Sequence, residues 1–248
     1  MAASAKTQLR LSSSDVHVWL APLDQIHVTQ LIQTLSEEEL ARADRFRFHR
    51  DRERFIACRS LLRTILSRYL CVEPCRLRIC YGPYGKPYLE EEVEKDKLQF
   101  NLSHSHGFAL YAFTRGRKIG VDLEYIRRMP DFGQIAARFF SQSENSALNA
   151  LPESQRQEAF FYCWTRKEAY IKAIGNGLMH PLNSFDVSLA PGEPARLLNV
   201  EGDPQEASRW SLRSLNPASG YIAALAVAGH DWQLQWKQWT GNENGGIS

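Results

Sequence analysis

The feature that most constrains the fold is an order of segments that occurs twice. A helical stretch from Ser36 to Leu70 precedes a turn-rich loop and three strand-like segments, LQFNLSHS, GFALYAFT and KIGVDLEY. A second helical stretch, which includes Gln155 to Ile174, precedes a loop and the strand-like segments FDVSLA, WSLRSL and GYIAALAVAG. HGFALYAFT and SGYIAALAVAG hold equivalent places, each a small-residue-rich strand after a polar turn. The repeated order predicts an α+β fold, a pseudo-dimer of two similar halves.

The domain boundaries follow from this repeat. We predict an N-terminal α+β half over residues 1–119, a C-terminal α+β half over residues 120–240 and a flexible tail over residues 241–248. The cleft between two such halves is the natural place for a ligand and therefore for an active site.

The charge and hydropathy patterns exclude some classes of partner. Lysine and arginine number 30 against 28 acidic residues, a net charge of +2, so no global excess favours nucleic acid or a membrane surface. The longest apolar run, YIAALAVA, is far shorter than the ~20 residues that span a bilayer. The first residues lack the continuous apolar core of a secretion signal, which predicts a cytoplasmic protein.

The segment IGVDLEY carries two acids on one face of a predicted strand. Asp122 and Glu124 are two residues apart, so their side chains point the same way. A solvated sheet face is an ordinary alternative for such a pair. Gly120 favours a site instead, because it permits close approach of another backbone.

The segment FYCWTRKEAYIKAIGNGL is a helix with charges among aromatic residues. Glu168 and Lys172 follow Trp164 at intervals of four and share one helical face, with Lys167 about 100° round the helix from Glu168. An exposed Glu168–Lys172 salt bridge is the plain alternative. The surrounding aromatic residues instead indicate the lip of a cleft, where both lysines suit a phosphate. Asp122, Glu124 and Glu168 then supply hard oxygen ligands, which select Mg²⁺.

Four further residues fit a phosphorylated ligand, although each of them alone is a weak signal. Ser103 and His104 end the segment FNLSHS, and Lys86 lies in the turn YGKP. Arg50 belongs to the basic run FRFHRDRER, which is also typical of a solvated helix face.

These motifs together resemble one known family. YGKP, FNLSHS, IGVDLE, RFFS followed by an acid, and WTRKEAYIKAIGNGL occur in the order and approximate spacing of the surfactin-type (Sfp-like) 4'-phosphopantetheinyl transferases, from about Ser36 to Val227. The resemblance implies that family's fold, a pseudo-dimer of two α+β halves with the active site between them.

The resemblance also implies residue roles. It makes the Mg²⁺ ligands Asp122, Glu124 and Glu168. It implies contacts with coenzyme A for Arg50, Lys86, Ser103, His104 and Lys172, with Ser103, His104 and Lys86 toward the 3'-phosphate end and Arg50 at the adenine pocket. Lys167 is predicted to bind coenzyme A as well, from its position beside the acids. The catalytic set is Glu168, Lys172 and Glu144, the acid after RFFS.

The implied reaction moves phosphopantetheine from coenzyme A to a serine of an acyl, peptidyl or polyketide carrier protein and releases 3',5'-ADP. Glu168 or a metal-bound water is the candidate base. The resemblance implies a monomer that binds neither nucleic acid nor a membrane. Two alternatives stay open: a Mg²⁺-dependent phosphodiesterase or nuclease, and a non-catalytic module that binds coenzyme A or a carrier protein. The sequence does not select among fatty-acid, polyketide and nonribosomal-peptide carriers.

Overall fold

Two sheets, each with a central strand between antiparallel neighbours, and two long helices form the frame of the protein. The computed structural model describes residues 8–90, 97–175, 177 and 180–240. Its helices are α1 Glu37–Ala43, α2 His49–Leu70, α3 Phe132–Phe139, α4 Gln142–Ala150 and α5 Glu153–Ile174. Its strands are β1 Asp15–Pro22, β2 Ile79–Tyr81, β3 Pro87–Leu89, β4 Leu98–Ser105, β5 Phe108–Arg115, β6 Ile119–Tyr125, β7 Phe185–Val187, β8 Leu197–Val200, β9 Trp210–Leu215, β10 Tyr221–Ala228 and β11 Gln233–Gln238.

The sheets keep the strands expected to be equivalent at their centres but not the flanking order of the repeat. KIGVDLEY joins the second sheet as β6, and FDVSLA forms β7, which pairs with β8 outside both large sheets. The first sheet has the order β11-β1-β5-β4 and the second the order β6-β10-β9. The two strands expected to be equivalent, β5 and β10, are each flanked by antiparallel partners in the middle of their sheets. The α+β fold with two similar halves is therefore confirmed.

The core is layered, with the sheets inside and the long helices outside. One apolar cluster joins α2 to the first sheet, through residues such as Leu61 and Phe113. A second joins α5 to the second sheet, through residues such as Tyr170 and Ala224. A third contains residues of both sheets, including Val18 and Leu225, so the two sheets pack on each other. This arrangement places β4 and β6, the facing edges of the two sheets, at the centre of the molecule.

Two details differ from the expectations. The helical stretch from Ser36 is interrupted between Ala43 and His49, and only the first part begins with the expected capping serine. Residues 233–238, assigned to the C-terminal half, form β11, which pairs in parallel with β1 of the first sheet. Pairing between segments more than two hundred residues apart leaves no local pattern in the sequence. The tail expected to be flexible, residues 241–248, lies outside the described residues.

A buried histidine lies in the first sheet. His17 on β1 is 2% exposed, and the hydroxyl of Tyr69 on α2 lies 2.7 Å from its Nδ1. That hydroxyl accepts a hydrogen bond from Trp19 Nε1, so its own proton is free to go to His17. Burial, reinforced by Lys237, lowers the pKa of His17 to about 4.

We expect this histidine to make the fold acid-sensitive. The unfolded chain takes up a proton near pH 6.5, whereas the folded chain does so only near pH 4, so the free energy of unfolding falls as the pH drops through this range. The loss is up to about 3 kcal/mol. Urea titrations at a series of pH values would measure it. In His17→Gln this part of the slope should vanish; an unchanged slope would show that other groups cause it.

Candidate active site

The strand β6 lies directly against α5 because Gly120 has no side chain. A Cβ added at Gly120 would overlap the carbonyl oxygen of Ala169 and the backbone nitrogen of Ala173. The close approach brings the acidic face of β6 to the charged face of α5, as the position of Gly120 in the sequence predicted. Asp122 of β6 therefore lies beside Lys172 of α5, with 2.6 Å between its Oδ1 and the lysine Nζ.

Asp122 is the most enclosed acid of this group. It is 4% exposed, and its Oδ1 accepts hydrogen bonds from Lys172 Nζ at 2.6 Å and from Ser103 Oγ at 3.0 Å. Its Oδ2 is buried and has no hydrogen-bond partner within the part of the chain that the structure describes. A buried carboxylate oxygen without a partner is costly, and a cation is the ligand that such an oxygen suits.

The other two acids, Glu168 and Glu124, are half-buried, and the negative charge of Asp122 raises their pKa values. Burial raises the pKa of Glu168 to about 7, and the negative charge of Asp122 adds to this effect. Burial and Asp122 also raise the pKa of Glu124. The neighbouring cations, Lys172 for both acids and Arg127 for Glu124, offset only part of the repulsion. The group therefore carries an excess of negative charge, which a divalent ion would neutralise.

The carboxylates of Asp122, Glu124 and Glu168 do not surround one common position in this structure. Among the described residues, no three acidic, histidine or cysteine side chains stand close enough together to hold a metal ion as they are. Lys172 occupies the position beside Asp122 instead. The donor chemistry and the unpartnered Oδ2 nevertheless fit a hard divalent cation.

Ser103 and His104 lie on opposite faces of β4, because side chains alternate along a strand. Ser103 faces β6, where its hydroxyl contacts Asp122 and accepts a hydrogen bond from the Leu123 amide at 3.2 Å. The expected contact of Ser103 with the 3'-phosphate end stays a prediction. Partial burial and the positive charges of Arg59, Lys172 and Arg54 lower the pKa of His104.

Arg59 is a candidate that the sequence reasoning missed. Its Nη1 is buried with no hydrogen-bond partner in the described chain, and its guanidinium lies over the rings of Phe55 and Tyr81. Tyr81 also lines a cavity of about 500 Å³. Other residues lining that cavity include Arg42, Arg45 and Phe46. The available signal was a lone cation inside the apolar run FIACRSLL, the same signal that marked Lys172.

Comparison with known proteins decides the family. Two family models match, the 4'-phosphopantetheinyl transferase superfamily over residues 118–226 and the 4'-phosphopantetheinyl transferase N-terminal model over residues 19–115. The 4'-phosphopantetheinyl transferase HetI of Nostoc sp. is 46% identical over 227 residues, 91% of this chain and 92% of that protein. The chain belongs to the 4'-phosphopantetheinyl transferase superfamily.

Two further proteins complete the comparison. The 4'-phosphopantetheinyl transferase Sfp of Bacillus subtilis is 33% identical over 212 residues, 85% of this chain and 90% of that protein. The likeness confirms that this transferase is of the Sfp type. Among solved structures, the holo-[acyl-carrier-protein] synthase of Thermotoga maritima aligns with 45% of this chain and 62% of that chain, at 24% identity and a TM-score of 0.36. None of the described helices of the transferase is long and apolar enough to cross a bilayer.

Two predicted coenzyme A contacts have other partners in the transferase. Lys86 Nζ donates to the carbonyl oxygens of Ala173 at 2.9 Å and Ile119 at 3.2 Å, so it ties the YGKP turn to the end of α5. Burial lowers the pKa of Lys86 to about 8. Arg50 is 70% exposed and binds Asp24 at 2.9 Å. Arg54 binds the same acid at 2.6 Å, and its charge contributes to the lowered pKa of His104.

Lys167 and Glu144, predicted to bind coenzyme A and to be catalytic, bind each other in the structure. Lys167 is fully buried, with its Nζ 2.8 Å from a carboxylate oxygen of Glu144, which is itself 2% exposed. Lys167 also donates to two backbone carbonyls, at 2.7 and 2.6 Å, and Glu144 accepts from two backbone amides, at 2.9 and 2.8 Å. The residues contacted in this way are Leu182, Phe185, Ser141 and Val187. The structure therefore gives the pair an anchoring role, in which it holds α5 to α4 and β7.

We expect Glu144→Ala to destabilise the transferase by about 3 to 5 kcal/mol, because it leaves the Lys167 charge buried and unpaired. Urea unfolding would measure the loss. The double variant Glu144→Gln/Lys167→Met, which removes both charges at similar volume, should recover most of it. If Glu144→Ala unfolds like the wild type but no longer turns over, the acid has a catalytic role after all.

Proposed function

We propose that this transferase moves 4'-phosphopantetheine from coenzyme A to a serine hydroxyl of an acyl, peptidyl or polyketide carrier protein and releases 3',5'-ADP. The observation that carries the proposal is the half-buried set of carboxylates on β6 and α5, with Lys172 at its edge. A diphosphate carries dense negative charge, so a site for it needs cations, and acids are useful there only when they hold a metal.

The reaction breaks one phosphorus–oxygen bond of the diphosphate and forms another to the carrier serine. Mg²⁺ held by Asp122, Glu124 and Glu168 would supply neutralisation of the diphosphate charge. Lys172, once Asp122 is neutralised, is free to donate to a diphosphate oxygen. Glu168, in the same set of carboxylates, would accept the serine proton. The released bond leaves its electron pair on the oxygen of 3',5'-ADP.

We place the nucleotide end of coenzyme A on the other face of β4. Arg54 and Arg59 concentrate positive charge there beside His104. Tyr81, which packs on Arg59, lines the cavity between α1, α2 and β2. An arginine with an unpartnered buried nitrogen suits the 3'-phosphate. Because both sides of the cleft come from one chain, a monomer is sufficient for activity.

We expect His104→Ala to raise the KM for coenzyme A about tenfold and to change kcat little, because its partner is remote from the bonds that change. Assays with coenzyme A and with 3'-dephospho-coenzyme A would test this, since the variant should lose discrimination between them. His106→Ala, two residues further along the chain, is the matched control. Undiminished discrimination in His104→Ala would remove the histidine from the 3'-phosphate site.

Mass spectrometry of apo carrier proteins tests the proposed function itself. The transferase is incubated with coenzyme A, Mg²⁺ and a panel of fatty-acid, polyketide and nonribosomal-peptide carriers. We expect addition of phosphopantetheine to the carrier serine, and the panel reports carrier preference. Binding of coenzyme A without any transfer would support the non-catalytic module, and hydrolysis of phosphodiesters without transfer would support the nuclease.

A further inference from the structure

The two sheets are joined at β4 and β6 by side chains. β4 is the edge of the first sheet and β6 the edge of the second, and no backbone pairing links them. Three alternate residues of β4 accept hydrogen bonds from alternate backbone amides of β6, at 2.9, 3.2 and 3.1 Å. We call these residues the polar ladder: Asn101, Ser103 and Ser105. Their partners are the amides of Val121, Leu123 and Tyr125.

The hydroxyl protons of the polar ladder point at the carboxylates. A serine hydroxyl that accepts from a backbone amide still has one proton to donate. Ser103 donates to Asp122 Oδ1 at 3.0 Å, and Ser105 donates to Glu124 Oε2 at 3.3 Å. A backbone amide of β6 thus fixes the position of each hydroxyl. Each hydroxyl in turn fixes the carboxylate of the residue that directly precedes that amide in β6. Asn101 completes the ladder through its Oδ1, which accepts from the Val121 amide.

Glu124 has particular need of such support. Its carboxylate is half-buried, and it lies two residues from Asp122 on the same face, so the two negative charges repel. A flexible glutamate turns away from a like charge unless a donor holds it. Among the described contacts of Glu124, the hydroxyl of Ser105 is the side-chain donor.

We propose that Ser105 is a positioning residue that holds Glu124 toward Asp122 for divalent-cation binding. The polar ladder then has two separable roles. Asn101 joins the two sheets, whereas Ser105 joins them and also orients the carboxylate of Glu124. The inference rests on the proposed function only in taking Glu124 as a ligand of the cation. Donors behind a ligating carboxylate change metal affinity by about 10- to 100-fold when they are removed.

The experiment measures the dissociation constant of Mn²⁺ alone by electron paramagnetic resonance, with the Mg²⁺ concentration that half-saturates transfer as a second readout. We expect Ser105→Ala to weaken Mn²⁺ binding at least tenfold with a nearly unchanged melting temperature. Ser105→Thr keeps the hydroxyl and should bind within about threefold of the wild type. Asn101→Ala should lower the melting temperature, because it leaves a buried amide unpaired, yet bind Mn²⁺ within about threefold.

A matched control lies elsewhere in the chain. Ser143 also donates to a carboxylate, Asp186 Oδ1, at 2.7 Å, and Ser143→Ala should leave Mn²⁺ binding unchanged. Equal affinity in Ser105→Ala and the wild type would overturn the positioning role, as would an equal loss in Asn101→Ala. A wild type that transfers phosphopantetheine but binds no Mn²⁺ would overturn the metal assignment and this inference, whereas the transfer itself would stand.

Discussion

Asp122→Asn is expected to lower kcat/KM for transfer at least about a thousandfold while the protein stays folded. The asparagine keeps the shape and one acceptor for Ser103, so the polar ladder persists, but the charge nearest the centre of the site is lost. A thousandfold corresponds to about 4 kcal/mol of transition-state stabilisation, within what a metal-bound diphosphate provides. Glu168→Gln should be at least as damaging, because it loses a ligand and the base together.

Steady-state assays with coenzyme A and one apo carrier would measure both variants, with circular dichroism to confirm folding. Asp186→Asn is the control, since Asp186 is a half-buried acid hydrogen-bonded to Ser143 and lies outside the site. A folded Asp122→Asn protein within about tenfold of the wild type would exclude the proposed centre.

Gly120→Ala is expected to cause the largest loss of stability from a single methyl group. The added carbon would meet backbone atoms of Ala169 and Ala173, which cannot rotate away as a side chain can. Overpacking of this kind costs about 3 kcal/mol or more, which lowers the melting temperature by roughly 10 °C. The separation of β6 from α5 also parts Asp122 from Lys172 and Glu168, so activity should fall further than stability alone explains.

Calorimetry of the variant and transfer assays well below its melting temperature would test this prediction. Gly133→Ala provides the comparison, because a Cβ there meets nothing within 4 Å and α3 should gain up to about 1 kcal/mol of helix propensity. If the two variants melt alike, β6 and α5 are not in the close contact described.

Much of the site was predictable because its signals are local. The alternation of side chains along β6 places Asp122 and Glu124 on one face of that strand. The helical period places Glu168 and Lys172 on one face of α5. The ion pair of Lys167 was not predicted, because its partner, Glu144, lies on another helix and the pair leaves no local pattern in the sequence. The adjacent residues Lys167 and Glu168 show the difference: one faces the interior ion pair and the other the acidic face of β6.

The fold was predictable to the same extent. The helices and the strands of the repeat follow from periodicity, whereas β1 was missed because both of its faces are covered and its sequence shows no polar face. Arg59 was not predicted for a related reason. Its role as a candidate depends on its closeness to Tyr81 and His104, which come near it only in the folded chain.

The pairing of β11 with β1 gives the chain an interlocked topology. Everything from β6 to β10 is an insertion between two strands of the first sheet, rather than a module added to its end. A cut near residue 119 would therefore yield a first fragment whose β1 edge is bare and a second fragment ending in an orphan strand. The two pieces should fold only when they are mixed, so the enzyme offers a natural design for a split reporter whose activity appears on reassembly.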